Sequence, residues 1–196
     1  MVLTKTYNDF PFCEKEILRY AKSDISDKET LSLIRECIAE ASDIFRYKVC
    51  YRELTVSVNG SVCDFGSFSI LSKDLSKNLG ACKRVIVFAA TIGIELDRLI
   101  AKYSRLSPAK ALIFQAIGTE RTEALCDAFC KDIEKEYTTS LMPRFSPGYG
   151  DLPLESQKNI FSLLDCERKI GLTLTDSLLM SPTKSVTAFT GLKTEV

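Results

Sequence analysis

The stretch Arg84–Ala90, with the sequence RVIVFAA, contains the clearest structural signal in this chain of 196 residues. Its arginine is followed by six consecutive apolar residues, and a short run of this kind predicts a strand buried on both faces. Thr91–Gly93 follows and predicts a turn. Glu95 and Asp97 then fall in the first turn of a predicted helix, where acidic side chains stabilise the positive end of the helix dipole. We therefore expect a buried strand that leads directly into a helix.

Upstream of this strand the sequence predicts three helices and a β-hairpin. Asn59-Gly60 lies between two apolar runs, and this dipeptide tolerates the positive φ angles of a type I′ turn. In chain order, the predicted elements are a helix around 14–22, an amphipathic helix from a capping box at Ser26–Glu29 to about Phe45, hairpin strands over 54–58 and 61–65, and a short helix near 72–78 that ends at Gly80.

Downstream, Pro108 predicts the start of a long helix that reaches Tyr137, because proline is favoured at the first helical position. The segment Pro143–Pro153 holds three prolines and two glycines and is predicted to be irregular. A helix over 155–169 that ends at Gly171 and two closing strands, 172–180 and 185–192, complete the prediction. Since no repeat or Pro/Gly-rich linker divides the sequence, we expect one domain over 1–196.

The charge balance and hydropathy exclude two classes of protein. Lys and Arg number 26, Asp and Glu also 26, and this balance lacks the basic footprint of a duplex-binding protein. No window approaches the roughly 18 consecutive apolar residues of a membrane-spanning helix. The first ten residues show neither the apolar core nor the cleavage pattern of a signal peptide. We expect a cytoplasmic protein that binds neither nucleic acid nor membrane.

The chain contains no histidine and eight cysteines. Without histidine, Ser-His-Asp and Cys-His catalysis and every histidine-ligated metal site are excluded. The cysteines form no Cys-x-x-Cys pair, so free and mostly buried thiols are expected. Cys126 and Cys130 lie one helical turn apart and suggest either a two-thiolate metal clamp or small apolar core residues. We favour the second interpretation, and we predict no metal site and no catalytic side chain.

One face of the predicted helix from Pro108 to Tyr137 combines an apolar stripe with a single charge, Glu123. A buried carboxylate needs a partner, since burying it unpaired is costly or shifts its pKa until it is neutral. Glu123 therefore predicts either an ion pair with a core Arg or Lys or a contact with a ligand. Glu120 shares another face with Asp127 and Lys131 and is expected to be solvated. The stripe consists of Leu112, Ala116, Thr119, Glu123, Cys126, Cys130, Ile133 and Tyr137.

The irregular segment includes RFSPGYG at Arg144–Gly150, which combines several groups suited to ligand recognition. The Pro147-Gly148 pair is typical of a type II turn, in which glycine supplies positive φ and leaves room for a ligand. Arg144 can bind a carboxylate through two parallel hydrogen bonds. Tyr149 offers a flat ring for a heterocycle and a hydroxyl for orientation. The alternative is a surface loop whose arginine is merely solvated.

Together these residues resemble the activation (reactivation) domain of vitamin B12-dependent methionine synthase, most closely its short stand-alone forms, over roughly residues 83–192. The motif comprises Glu123, Arg144-x-x-Pro147-Gly148-Tyr149 and Leu174-Thr175-Asp176-Ser177-x-x-Met180-x-Pro182-x-x-Ser185-Val186. The resemblance implies an α+β fold with a curved, largely antiparallel sheet and flanking helices. It also implies that S-adenosylmethionine is bound. The residues at matching positions are Glu123, Arg144, Ser146, Gly148 and Tyr149.

The resemblance further implies a partner that carries cobalamin. In the family, oxidised cob(II)alamin is recovered by one-electron reduction, from flavodoxin or a similar donor, coupled to methyl transfer from S-adenosylmethionine. A chain without histidine contains no corrin-ligating Asp-x-His-x-x-Gly motif, so it is expected to act in trans on a cobalamin-binding methionine synthase or another corrinoid protein. Two alternatives are an S-adenosylmethionine-binding sensor or accessory module for another corrinoid methyltransferase and a ligand-free structural subunit.

Overall fold

A computed structural model describes residues 1–23 and 28–193. Helices and strands combine in an α+β arrangement, and the strands pair in antiparallel fashion. In chain order the elements are β1 (Leu3–Tyr7), α1 (Glu14–Ala21), α2 (Lys28–Ala41), β2 (Tyr47–Thr55), β3 (Ser57–Asn59), β4 (Val62–Asp64), β5 (Ser69–Leu71), α3 (Lys73–Leu79), β6 (Arg84–Thr91), α4 (Glu95–Leu106), α5 (Pro108–Tyr137), α6 (Ser156–Leu164), α7 (Cys166–Ile170), β7 (Thr173–Leu174), β8 (Met180–Ser181) and β9 (Ser185–Leu192).

The main sheet has four strands in the order β1-β2-β6-β9, with the predicted buried strand in its interior. Side chains of β6 alternate between two cores: Ile86 and Phe88 point into one, Val85 and Val87 into the other. Helices α1, α2, α4 and α5 cover the first core, while α3, α6, α7 and the β3-β4-β5 sheet cover the second. The predicted fold class, α+β with a largely antiparallel sheet and flanking helices, is confirmed. The expectation of one domain over residues 1–196 is not tested by this structure and stays a prediction.

Several local predictions are confirmed. Helices α1, α3, α4 and α5 lie where they were expected, and the hairpin forms. Its turn lies one residue later than predicted: Asn59 pairs with Val62, so Gly60 (φ 60°) and Ser61 are the central residues, and the prediction of a type I′ turn on Asn59-Gly60 is wrong. Helix α2 ends at Ala41 instead of near Phe45. Part of the predicted capping box, residues 26–27, lies outside the described residues. Among the described residues, no helix is both long and apolar enough to span a bilayer.

Three predictions near the hairpin and the C-terminal half are wrong. Leu54 belongs to the main sheet, where it pairs with Val85, so the first hairpin strand is shorter than expected. The predicted helix over 155–169 divides at Asp165, which takes a left-handed conformation (φ 51°) and redirects α7 onto β2. The predicted strand over 172–180 reduces to β7 and β8, because Thr175 closes a turn by hydrogen bonding to Leu179 through its backbone and side chain.

Candidate functional site

A cleft of about 480 Å³ lies beside β9, at the outer edge of the main sheet. Its volume falls in the range of about 300–1,000 Å³ that is usual for small-molecule sites. Four of the five predicted site residues line it, and the fifth, Gly148, shapes the turn between them. The lining residues are Glu123, Cys126, Arg144, Phe145, Ser146, Pro147, Tyr149, Gln157, Met180, Ser185, Val186 and Thr187.

Backbone pairing positions the loop that carries most of these residues. Phe145 exchanges two backbone hydrogen bonds of 2.9 Å with Phe189, which attaches the loop to the free edge of β9. The Tyr149 N–H then donates to the Ser146 carbonyl at 3.1 Å, and Gly148 takes a φ of 89°, as predicted for the Pro-Gly turn. The prediction of an irregular segment with a glycine turn is therefore confirmed. The exposed Tyr149 ring stands at the mouth of the cleft.

Asp151 fastens the far end of this loop to helix α3. Its carboxylate accepts hydrogen bonds from the Ser72 hydroxyl at 2.5 Å, the Lys73 N–H at 2.8 Å and the Asp74 N–H at 3.1 Å. The Ser72 hydroxyl and these backbone amides hold the pKa of Asp151 below its ordinary value. Because the carboxylate is the form that accepts these bonds, the loop is held most firmly when Asp151 is ionised.

We expect Asp151→Asn to lower the midpoint of urea unfolding at pH 7. A carboxyl group with a depressed pKa contributes stability above its unfolded pKa of about 3.9 and loses it as the pH falls through the folded value. The difference between wild type and variant should therefore shrink as the pH is lowered below about 4. Unfolding curves recorded at pH 7 and pH 3 measure this. Asp176→Asn, at an exposed position, is the matched control, and a pH-independent difference for Asp151→Asn would contradict the prediction.

Arg144 lies between two carboxylates of helix α5. Its Nη2 is 2.8 Å from Glu123 Oε2, and its Nη1 is 2.6 Å from Asp127 Oδ1. Burial by itself lowers the pKa of Arg144, but the hydrogen bond to Asp127 and the nearby thiols of Cys126 and Cys130 raise it, with a net increase. Glu123 thus has the ion-pair partner that one interpretation required, although this partner comes from the loop and not from the core.

Asp127 was not among the predicted site residues. Its position one helical turn after Glu123 was a signal, but no sequence pattern placed Arg144 opposite both carboxylates. The side chain of Glu123 is 46% exposed, so it lies at the border of the apolar stripe and not within it. The cluster combines two carboxylates with one guanidinium and is therefore net negative.

The prediction that Glu120 is solvated is wrong. Glu120 is 5% exposed and Arg121 is 0% exposed, and Arg121 donates from Nε and Nη2 to the Glu120 carboxylate, each at 2.6 Å. Arg121 also donates to the carbonyls of Phe10 and Pro11, and the Cys13 N–H donates to Glu120. The segment before α1 covers this side of α5, so more than one face of the helix is buried. Conversely Leu112, predicted as part of the stripe, is 55% exposed.

Two cleft residues were missed entirely. Gln157, on α6, is 5% exposed and Thr187, on β9, is 2% exposed, and both line the cleft. Gln157 Oε1 and Thr187 Oγ1 have no hydrogen-bond partner within the described part of the chain. Nothing in the sequence distinguishes these residues from other Gln and Thr, because their burial depends on how α6 and β9 meet.

The two neighbouring cysteines of α5 differ in their surroundings. Cys126 is buried in the cleft wall, and burial raises the pKa of its thiol well above the ordinary value. Cys130 is partly buried, with its Sγ 4.0 Å from Arg144 Nη1. Within residues 1–23 and 28–193, no group of three or more Cys, Asp or Glu side chains is arranged to hold a metal ion.

Comparison with known proteins agrees with the resemblance seen in the motif. Residues 75–196, which include all five predicted site residues, match the model of the family described as vitamin B12 dependent methionine synthase, activation domain. A solved structure described as the MetH reactivation domain bound to AdoHcy shares the fold, with a TM-score of 0.71 and 14% sequence identity over 97% of this chain and 78% of that one. No curated protein matches the sequence. The chain belongs to the family of activation domains of vitamin B12-dependent methionine synthase.

Proposed function

We propose that this protein binds S-adenosylmethionine in the cleft and acts in trans as the reactivation component of a cobalamin-dependent methionine synthase. Family membership supports the cobalamin-dependent setting, and the shared fold with a domain that binds AdoHcy, S-adenosylhomocysteine, supports the class of ligand. The proposed binding residues are Glu123, Arg144, Ser146, Gly148 and Tyr149.

The observation that carries this proposal is the ion pair of Arg144 with Glu123 in the cleft wall, where Asp127 holds the guanidinium from outside the lining. S-adenosylmethionine has one carboxylate and two cationic groups, the ammonium and the sulfonium. A guanidinium has more N–H donors than these two ion pairs use, so Arg144 can still bind the carboxylate of the ligand. Glu123, the acidic residue of the cleft lining, favours the two cationic groups. The charges of the site and the ligand are therefore complementary.

The loop supplies the neutral part of the proposed site. Gly148 has no side chain and takes a positive φ, so the ligand can approach the backbone closely there. Ser146 contributes its backbone beside the turn. The ring of Tyr149 is exposed at the mouth of the cleft and can pack against a heterocycle. An amino acid joined to a nucleoside fits this combination of a charged wall and an aromatic mouth.

The proposed role of the protein is to position the methyl donor for a corrinoid held by a partner. The corrinoid supplies the cobalt centre that takes up the methyl group, and the chain, which lacks histidine, contributes no imidazole ligand to it. Flavodoxin or a similar donor would supply one electron to the cob(II)alamin of the partner, and S-adenosylmethionine would give up its methyl group and be released as S-adenosylhomocysteine. We place this reaction in the cytoplasm. The residues of this chain would contribute binding and orientation.

Calorimetric titration of S-adenosylmethionine tests the proposed site. We expect one-to-one binding to the wild type and binding at least roughly tenfold weaker to Arg144→Ala, about 1.4 kcal/mol for the lost charge-assisted hydrogen bonds. Arg168→Ala, at a highly exposed arginine paired with Asp165, is the matched control and should bind like the wild type. Absence of binding at millimolar ligand, or equal affinities for wild type and Arg144→Ala, would contradict the proposal.

A reconstituted reaction tests the role. A cobalamin-binding methionine synthase, a reductant and S-adenosylmethionine labelled in its methyl group are mixed with or without this protein. Label transferred to the corrinoid only when the protein is present supports reactivation in trans. Binding without transfer favours a sensor or accessory module, and a protein that neither binds nor supports transfer is the ligand-free structural subunit.

A further inference from the structure

Two buried side-chain oxygens in the cleft lack a hydrogen-bond partner. They are Gln157 Oε1 and Thr187 Oγ1, and Asn78 Oδ1 is the one other such atom among the described residues. Asn78 is not part of the cleft lining, whereas Gln157 and Thr187 both are. Leaving a buried polar atom unpaired costs free energy, and such atoms are rare in folded proteins. Two of them in one cleft therefore indicate a site that is completed by a ligand.

These two residues lie away from the charged wall. Glu123, the partner of Arg144, belongs to α5, which covers one face of the main sheet, whereas Gln157 belongs to α6, which covers the other face. Thr187 lies on the edge strand β9, two residues before Phe189, whose side chain packs in the second core, so Thr187 lies on the face that α6 covers. An elongated ligand in this cleft would meet ionised groups at one end and uncharged hydrogen-bonding groups at the other.

We propose that Gln157 and Thr187 form a neutral polar subsite that hydrogen-bonds to the uncharged nucleoside end of the ligand and determines specificity for it. This inference rests on the proposed function, since it assigns the second end of the same ligand. The Gln157 carbonyl oxygen can only accept, so it requires an N–H or O–H donor, while the Thr187 hydroxyl can donate or accept. In a nucleoside, such a donor is the exocyclic amine of the base or a hydroxyl of the ribose.

A subsite of this kind discriminates strongly between ligands. When a buried oxygen is placed to accept a hydrogen bond, a ligand that lacks the donor leaves that oxygen unpaired, and the affinity drops more than the loss of an apolar contact would cause. In the ligand-free protein, the unpaired oxygen has the opposite effect, because it lowers stability. Replacing the unpaired oxygen by an apolar group of similar shape removes a cost, so the ligand-free protein should become no less stable.

The test compares Gln157→Met and Thr187→Val, which keep the approximate shape of each side chain, with the wild type. S-adenosylhomocysteine is the probe, and its dissociation constant is measured by calorimetry. We expect Gln157→Met to weaken binding by roughly tenfold or more and Thr187→Val to weaken it by a smaller factor. The unfolding midpoint of ligand-free Gln157→Met should equal or exceed that of the wild type. Gln115→Met, at an exposed glutamine of α5, is the matched control and should change neither quantity.

Ligand analogues identify the donor. S-inosylhomocysteine lacks the exocyclic amine, and the deoxyribose analogues lack one hydroxyl each. For the analogue that lacks the recognised donor, wild type and Gln157→Met should bind equally weakly. If both variants bind S-adenosylhomocysteine within twofold of a wild type that does bind, or if Gln157→Met lowers the unfolding midpoint, the subsite is refuted while the proposed function stands. If the wild type binds neither S-adenosylmethionine nor S-adenosylhomocysteine, the proposed function fails as well.

Discussion

Replacing Arg121 by methionine is expected to lower the free energy of unfolding by about 3–5 kcal/mol, because it leaves the carboxylate of Glu120 buried without its charge partner. Both residues are almost completely buried, and Arg121 in addition donates hydrogen bonds to the carbonyls of Phe10 and Pro11. Its guanidinium carbon lies 4.1 Å from the centre of the Phe12 ring. The variant therefore also releases the segment that leads into α1. Urea unfolding at pH 7 measures the loss.

A double variant separates the unpaired charge from the lost packing. Glu120→Leu combined with Arg121→Met removes both charges, and such apolar replacement of a buried pair is much less costly than breaking it. We expect the double variant to be more stable than Arg121→Met alone. If the single variant loses less than about 1 kcal/mol, or if the double variant is the less stable of the two, the buried pair does not have the role assigned to it.

Phe129→Ala is expected to cost a similar amount, about 3–5 kcal/mol, through the cavity it creates. Phe129 is fully buried at the centre of the first core, with its ring 5.1 Å from that of Tyr51 and 4.8 Å from that of Phe88. It therefore joins α5 to two strands of the main sheet. Urea unfolding monitored by circular dichroism measures the change.

Leu112→Ala is the control for Phe129→Ala. Both residues belong to α5, and Leu112 was expected on the apolar stripe, but the structure exposes it. We expect its replacement to change the free energy of unfolding by less than about 0.5 kcal/mol. A large loss at Leu112, or a loss below about 1 kcal/mol at Phe129, would contradict the packing of α5 described above.

Elements with a strong local signal were predictable. The apolar run of β6, the hairpin around Gly60 and the proline start of α5 each depend on residues close together in the chain, and all three are confirmed. Strand β1 was not predicted, because Leu3–Tyr7 is short and only partly buried and is held by pairing with β2. The break at Asp165 was missed for a similar reason. A single left-handed residue leaves no periodic signal, and the packing of α7 on β2 determines where the chain must turn.

The residues of the candidate site likewise include some that local sequence signals selected and others that only the tertiary structure brings together. Arg144, Ser146, Gly148 and Tyr149 were selected from one short loop, whose turn follows from the local preferences of proline and glycine. Glu123 was selected from helical periodicity, which did not identify its partner Arg144. Asp127 pairs with Arg144 only through the approach of the loop to α5.

The sequence by itself determined the long helix and the glycine turn of the loop, because these depend on local conformational preference. Its motif identified the family, and that resemblance implied the α+β class. Only the tertiary structure decided that Glu120 is buried with Arg121, that Arg144 joins Glu123 to Asp127, and that Gln157 and Thr187 line one cleft. Burial and charge pairing arise between segments distant in the chain. Their energies depend on distance and solvent exclusion, which residue order does not specify.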